Sequence, residues 1–157
     1  MNKEKKEDRI GVYLVPHLNE FIFDELSDSY LDRAGIGDIL MGIPIPIRRT
    51  ALKSLTTLDI ARNMAFVIGC DPDFEYKENY IAYILRTFGK KFAEGLIHDG
   101  VDGAQKSDFD YACIQFRAAM QIDPENIDAY YCCLLYTSGD SGDHENQRQY
   151  KGFNADQ

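Results

Sequence analysis

The sequence predicts a mainly α-helical fold of helical hairpins, with an N-terminal helical region that contains at most one short strand. Apolar residues recur at helical spacing in successive segments between Leu18 and Tyr136. Two pairs, Asp71-Pro72 and Asp123-Pro124, separate these segments, because proline cannot continue a helical hydrogen-bond ladder. With 157 residues, of which 45% are hydrophobic, the chain is long enough for a domain with a substantial core.

The first third of the chain begins with charge and continues with short apolar segments. Residues 1–9 are mostly charged and predict a flexible N-terminus. Ile10–Val15 is the best strand candidate, because it is rich in β-forming residues and Pro16 ends it. Leu18–Leu31 carries its apolar residues on one helical face, which predicts a helix that ends at Gly35.

The segment Met41–Arg49 alternates proline with isoleucine. Proline excludes a central strand and an interior helix, so we expect extended chain around Pro44 and Pro46. The alternating isoleucines indicate that this segment packs into the core of its own protein. The alternative is a tethered, ligand-like segment that occupies a binding surface.

Two further helices complete the N-terminal helical region, which we assign to residues 10–90. A helical pattern starts at Thr50, bends near Thr56 and continues over Asp59–Ile68. Asp73 is placed to cap a longer helix that ends near Phe88. The aromatic stripe of that helix has the spacing of a core-facing surface.

Ser107–Tyr131 has the most complete pattern in the chain: one helix, a turn and the start of another helix. Ser107 predicts the start of the first helix, because an acidic residue follows it three positions later, as in a capping box. The Asp123-Pro124 pair ends this helix, and Asn126 is placed to cap the next one.

Small, aromatic and proline residues within residues 91–136 follow a recurrent spacing. Ala112, Phe116, Ala119 and Pro124 fit the pattern A-x3-F…P, and Leu96 and Tyr130 lie 34 residues apart. This region therefore resembles the tetratricopeptide repeat family, with one full degenerate repeat and the start of a second. The residues that carry the resemblance are Leu96, Gly100, Ala112, Phe116, Ala119, Pro124 and Tyr130.

The resemblance implies stacked helical hairpins that form a superhelix and a role in protein–protein interaction without catalysis. Such arrays bind a peptide or helix in a groove lined by the first helix of each repeat. The residues that correspond to this groove are Glu94, Ile97, Val101, Gln105, Asp128 and Tyr131. Because two of them are acidic, we expect a neutral or basic protein ligand.

Charge and cysteine usage exclude some partners and favour one compartment. The net charge of −9 opposes a nucleic-acid surface, which requires a basic patch, and also opposes docking on an anionic membrane. The four cysteines show no disulfide framework, and no signal peptide is recognisable. A cytoplasmic location is the simplest interpretation.

No cofactor, metal or catalytic site is predicted from the sequence. Asp71–Glu75 resembles the start of a calcium loop but has Tyr76 where the loop needs glycine. His17, Glu20 and Asp24 fall on one helical face, but a lone histidine beside a proline is more often structural than a ligand.

Residues 137–157 are polar and contain glycine, which predicts a disordered tail. The second repeat therefore lacks its second helix, so we interpret the chain either as a truncated or altered form of a longer repeat protein or as a short natural one. An uncovered face at Tyr130, Cys133 and Leu134 favours self-association.

Three functions remain open at this point. The first is the adaptor or scaffold. The second is an enzyme whose site lies in residues 10–90, with an enclosed polar pocket near His17 or Asp71–Glu75 and a perturbed carboxylate. The third is a structural protein that forms homo-oligomers through its unfinished repeat.

Overall fold

The computed structural model of the chain describes residues 8–50 and 55–137. Within these ranges the chain is mainly helical, as the sequence predicts, and it contains two short strands that form one small sheet. The predicted tail from residue 138 onwards, and residues 1–7 of the predicted flexible N-terminus, lie outside the described ranges.

The described elements follow one another along the chain with short connections. In order they are α1 (Gly11–Leu14), a 3-10 helix (Val15–Glu20), β1 (Phe21–Asp24), α2 (Asp28–Ala34), α3 (Gly37–Leu40), β2 (Ile45–Arg48), α4 (Thr57–Cys70), α5 (Lys77–Phe88), α6 (Phe92–Gln105), α7 (Phe109–Ile122) and α8 (Ile127–Thr137).

The predicted strand at Ile10–Val15 is wrong, because this segment is helical. Asp8 accepts a hydrogen bond from the Gly11 amide at 3.0 Å and so stabilises the first turn of α1. A strand is stable only beside a partner. The available partner, β2, pairs with β1 instead, and Phe21 lies opposite Arg48 in this antiparallel pair.

The single helix predicted over Leu18–Leu31 is also wrong, since these residues contain the end of the 3-10 helix, β1 and part of α2. Pairing with β2 keeps the middle of the segment extended. Ser27 then caps α2 by accepting a hydrogen bond from the Tyr30 amide at 3.3 Å. The end of α2 at Gly35 is confirmed, and this glycine has a φ of 66°.

The proline-containing segment is extended, as the sequence predicts, and it forms β2. Ile45 and Pro46 are buried, so the segment belongs to the core. The Asn63 side-chain amide donates to the Pro46 carbonyl at 3.1 Å, and the Tyr80 hydroxyl donates to the Pro44 carbonyl. These two hydrogen bonds attach β2 to α4 and the residue that precedes β2 to α5.

The starts of α4 and α5 differ from the predicted positions. Thr56 caps α4 and forms a reciprocal capping box with Asp59, so the bend predicted at Thr56 is a helix start. Residues 51–54 of the predicted upstream pattern lie outside the described ranges. Asp73 does not cap α5, which begins at Lys77, because the Phe74 ring packs at 5.5 Å from the Tyr80 ring and the preceding residues form turns.

Asp108, rather than the predicted Ser107, caps α7 by accepting a hydrogen bond from the Tyr111 amide at 3.2 Å. Ser107 has a φ of 63° and belongs to the turn that ends α6, so its backbone cannot serve as the cap. The prediction for Asn126 is confirmed, because its side chain accepts hydrogen bonds from the Asp128 and Ala129 amides.

The core is continuous from the N-terminal segment to α8. The hairpin of α6 and α7 is its most closely packed pair, and α4 lies against α7 while α8 contacts both helices of the hairpin. Two glycines permit these close approaches. A Cβ atom at Gly69 of α4 would overlap the carbonyl oxygen of Ile114, and one at Gly100 of α6 would lie 2.6 Å from the Phe116 ring.

A partly buried ion pair attaches the N-terminal segment to α7. Arg117 lies near the middle of α7 with its side chain only 8% exposed, and its guanidinium donates to both carboxylate oxygens of Asp8, at 2.6 and 3.3 Å. Partial burial on its own would raise the pKa of Asp8, but the hydrogen bonds from Arg117 and the Gly11 amide outweigh it and lower that pKa.

We predict that Asp8→Ala lowers the free energy of unfolding by about 1–2 kcal/mol at neutral pH, because it leaves Arg117 buried without its acceptor. This figure allows for solvent screening, since the Asp8 side chain is about half exposed. Because folding lowers the pKa of Asp8, its stabilising effect is present above the ordinary value of 3.8 and is lost as the pH falls through the lower folded value.

Urea unfolding of both proteins at a series of pH values measures this difference. Asp38→Ala is the matched control, because Asp38 also binds an arginine, Arg86, through two hydrogen bonds of 2.8 Å, but on the open surface. We expect no measurable loss for the control. Equal effects of both substitutions, or a difference that persists undiminished in acid, would contradict the buried-pair interpretation.

Candidate functional site

The residues predicted to line a binding groove do not form one exposed surface. Glu94, Gln105, Asp128 and Tyr131 are exposed, whereas Ile97 and Val101 are buried, with 6% and 9% of their surfaces exposed. The reason is that α6 is contacted by α5, α7 and α8, so two of the predicted groove positions belong to the core. The binding role of these residues stays a prediction.

The residues of the repeat-like pattern separate into a buried and an exposed set. Leu96, Gly100, Ala112, Phe116 and Ala119 are buried where α6 meets α7. Alanine and glycine allow the two helix backbones to approach closely, and the aromatic ring fills the space between them. The remaining two, Pro124 and Tyr130, are exposed.

Helix α8 presents a second apolar surface, which faces away from the core. Its members are four large side chains at i, i+3, i+4 and i+7, and we call this surface the α8 apolar face. They are Ile127 (80% exposed), Tyr130 (46%), Tyr131 (43%) and Leu134 (68%). The opposite side of the helix is buried through Ala129 and Cys132. A helix that is apolar on both sides is normally covered on both sides.

The sequence predicts three of these four positions. Tyr131 belongs to the predicted groove, and Tyr130 and Leu134 belong to the predicted uncovered face, whereas Ile127 is in neither set. Its spacing of three residues before Tyr130 is the signal that identifies it. Cys133, predicted on the same uncovered face, is only partly exposed and packs against the core.

The chain around the α8 apolar face is acidic. Between residues 118 and 137 it contains Asp123, Glu125 and Asp128 but no lysine or arginine. Glu125 and Asp128 are exposed. An apolar surface with this border attracts a ligand that carries positive charge beside its own apolar residues.

A polar region lies near His17, where the enzyme alternative predicts a pocket. The Nε2 atom of His17 lies 3.0 Å from Asp110, and its Nδ1 atom lies 3.6 Å from Glu20. A cavity of about 270 Å³ has His17, Glu20, Arg48 and Tyr111 in its wall. The contact with Asp110 attaches the 3-10 helix to α7, whereas the contact with Glu20 lies within the 3-10 helix.

Hydrogen bonds and burial shift the pKa values of several titratable groups. Hydrogen bonds from Arg86 lower the pKa of Asp38, and hydrogen bonds from Thr56 lower that of Asp59, so both carboxylates stay ionised. Burial raises the pKa of Cys70 to about 12 and that of Cys113 to about 11, so both thiols stay protonated and unreactive.

Residues 8–50 and 55–137 contain no group of three histidine, cysteine, aspartate or glutamate side chains arranged as metal ligands, and this applies to His17, Glu20 and Asp24. No helix of the described chain is both long enough and apolar enough to cross a membrane. Comparison of the chain with protein-family models, with curated proteins and with solved structures finds no match.

Proposed function

We propose that this protein is a non-catalytic interaction module, an adaptor or scaffold, whose α8 apolar face binds an amphipathic helix of a partner protein. The supporting observation is the arrangement of α8, which is buried through one side and exposes four large apolar residues on the other. Its resemblance to the first helix of a tetratricopeptide-like repeat supports the same proposal, since in that family a second helix packs against such a face.

The size of the face is sufficient for useful affinity. Full burial of a large aliphatic or aromatic side chain contributes about 1.5–3 kcal/mol. Four such side chains, each partly exposed in the free protein, offset the cost of association and of ordering a ligand helix. We therefore expect a dissociation constant on the order of 10 μM for a short helix.

The expected ligand is a helix because the face is a straight ridge of residues on a helix. The sequence of residues 138–157 does not have the pattern of such a ligand, because its apolar residues, Tyr150, Phe153 and Ala155, lack the i, i+3, i+4, i+7 spacing. The hairpin of α6 and α7 shows which spacing fits such a surface: Ala112, Phe116 and Ala119 on α7. The acidic border of the face favours lysine or arginine at the edges of the ligand helix.

Three further observations support the proposed location, the class of partner and the non-catalytic role. Cys70 and Cys113 are buried thiols outside any disulfide, which favours a reducing compartment such as the cytoplasm. The net charge of −9 opposes nucleic-acid and anionic-membrane partners. The shifted carboxylates and thiols are held in unreactive forms, so no catalytic step is assigned.

A designed peptide tests the proposal directly. The probe is a fluorescent helix of about 15 residues, roughly four turns, with the spacing Ala-x3-Phe-x2-Ala and lysine flanks. Fluorescence anisotropy should show micromolar binding, and the same peptide with glutamate flanks or a central proline should bind at least tenfold more weakly. Equal binding of all three peptides would contradict a charged, helical recognition mode.

Leu134→Asp should weaken binding of the lysine-flanked peptide by more than about tenfold, because a carboxylate would be buried in the apolar contact. Val12→Asp is the matched control, since Val12 is 69% exposed and Leu134 is 68% exposed. The control should bind as well as the parent protein. Equal binding by both variants would remove α8 as the site.

Homo-oligomerisation is the second candidate, because the same exposed face can pair with that of a second copy. Sedimentation of the parent protein and of Leu134→Asp distinguishes the two functions. A dimer that dissociates on this substitution, together with no peptide binding, would replace the adaptor by a structural protein. An unchanged monomeric mass for both proteins would remove the dimer.

A further inference from the structure

A polar cavity lies among α4, α6, α7 and β2, and Arg48, Phe66 and Tyr111 line both it and the cavity beside His17. Its volume is about 270 Å³, just below the range of about 300–1,000 Å³ that is typical of ligand pockets. Arg48, Arg62, Asp99 and Gln115 are among the residues in its wall. The volume suits a molecule of about the size of a free amino acid.

Gln115 leaves a hydrogen-bond acceptor unused in this wall. Its side chain is buried, with 6% of the residue exposed, and within the described part of the chain its Oε1 atom has no hydrogen-bond partner. Native proteins rarely bury a polar atom in this way unless a water molecule or a ligand provides the partner. The cavity beside Gln115 can accommodate a group that donates an N–H or O–H hydrogen bond.

The charges around the cavity are balanced. Arg48 and Arg62 supply two positive charges, and Asp59 and Asp99 supply two negative charges. Asp59 is already engaged as the cap of α4. Among the described residues, no hydrogen bond or ion pair joins Arg62 or Asp99 to another side chain, although the charge of Arg62 helps to lower the pKa of Asp59.

Arg48 is held in a fixed position beside the cavity. Its guanidinium carbon lies 4.7 Å from the ring centroid of Phe21 and 4.7 Å from that of Phe66. The two ring centroids lie 5.5 Å apart, so the guanidinium packs against both rings at once and not between them. This double contact restricts the side chain before any ligand binds. Its contact with Glu20 is long, at 3.7 Å, so the planar guanidinium keeps donors for a carboxylate.

The geometry points to a binding site for a small zwitterion of the free amino-acid class. In this assignment the ligand carboxylate binds Arg48 and Arg62, and its ammonium group binds Asp99 and donates a hydrogen bond to Gln115 Oε1. A neutral set of charges, two of each sign, favours a ligand that carries both signs over a simple anion or cation. The site is separate from the α8 apolar face and does not depend on the proposed helix partner.

Isothermal titration calorimetry with the full chain and each of the 20 common amino acids tests this assignment. Each is used at about 10 mM, ten times a millimolar dissociation constant. We expect at least one to bind, and we expect its N-acetyl and methyl-ester derivatives to bind at least tenfold more weakly, because each derivative removes one charge. No binding by any amino acid, or undiminished binding of the two derivatives, would overturn the assignment.

The variant Gln115→Leu tests whether the amino acid binds in this cavity. It replaces an unpaired buried acceptor by an apolar group of similar size, so the melting temperature of the free protein should be unchanged or higher. The affinity for the amino acid should fall at least tenfold. A variant with undiminished affinity would overturn the assignment, because binding would then occur elsewhere.

Gln121→Leu is the matched control on the same helix. The Gln121 side chain already donates to the Ile68 carbonyl, at 2.6 Å, and it is not in the cavity wall. This variant should have a lower melting temperature and unchanged affinity. The opposite results for two glutamines of α7 separate ligand binding from stability, and an equal loss of affinity in both would overturn the assignment.

Binding of water alone at Gln115 would appear as a higher melting temperature for Gln115→Leu with no amino acid bound by the parent, and this result too would overturn the assignment.

Discussion

Gly69→Ala is expected to lower the free energy of unfolding by about 3 kcal/mol, at the upper end of the range for overpacked cores. The added methyl carbon would overlap the carbonyl oxygen of Ile114 and lie 3.0 Å from its carbonyl carbon. These are backbone atoms of α7, so a side-chain rotation cannot relieve the contact. The two helices would have to separate, and the buried apolar residues along both of them would lose contacts.

Gly95→Ala is the matched control, because it makes the same chemical change in a helix. Gly95 lies in α6, is exposed, and has open space within 4 Å of the position that a Cβ atom would take. Alanine has the higher helix propensity, so this variant should be more stable by about 0.5–1 kcal/mol. Thermal and urea unfolding measure both effects. A stable Gly69→Ala protein would show that α4 and α7 are farther apart than described.

Local sequence patterns predict the presence of the helices from α4 onwards, because the apolar spacing within each one is regular, although the starts of α4, α5 and α7 differ from the predicted positions. In α7 the spacing of Ala112, Phe116 and Ala119 indicates a packed helix, and Asp123-Pro124 ends it. The same reasoning selects Ser107 instead of its neighbour Asp108 as the cap, since both residue types serve this purpose. The choice depends on the φ of 63° at Ser107, which is set by the end of α6.

The N-terminal third is predicted less well because its conformations depend on distant partners. Ile10–Val15 has the composition of a strand, and Phe21–Asp24 has part of the spacing of a helix, yet each adopts the other type of structure. The pairing of Phe21–Asp24 with Ile45–Arg48 decides between these conformations. Local propensity contains no information about which segments pair.

The candidate sites show the same difference. A pattern within one helix is predicted from the sequence, whereas a contact between segments that are distant in the sequence is not. Periodicity within α8 predicts a face that includes Tyr130 and Leu134, because all its residues belong to one helix. It does not predict that Ile97 and Val101 are covered by neighbouring helices. The polar cavity also has no sequence signature, since Arg48 and Gln115 are brought together only by the fold.

Phe116→Ala is expected to lower the free energy of unfolding by about 3–5 kcal/mol, because it removes a large, fully buried ring and leaves a cavity. The Phe116 ring fills the space above Gly100, where a Cβ atom would lie 2.6 Å from one ring carbon and 2.9 Å from another. Chemical unfolding monitored by circular dichroism measures the loss. A smaller effect, below about 1 kcal/mol, would indicate that the hairpin collapses into the vacated space.

A double-mutant cycle with Gly100→Ala shows whether this contact joins α6 and α7. In the parent protein Gly100→Ala should be destabilising, because its methyl group meets the ring of Phe116. In the Phe116→Ala background the same methyl group enters vacant space, so its effect should become neutral or stabilising through helix propensity. The expected interaction energy is about 1–3 kcal/mol. Additive effects would mean that Gly100 and Phe116 do not touch, and the close approach of α6 and α7 at this contact would lose its support.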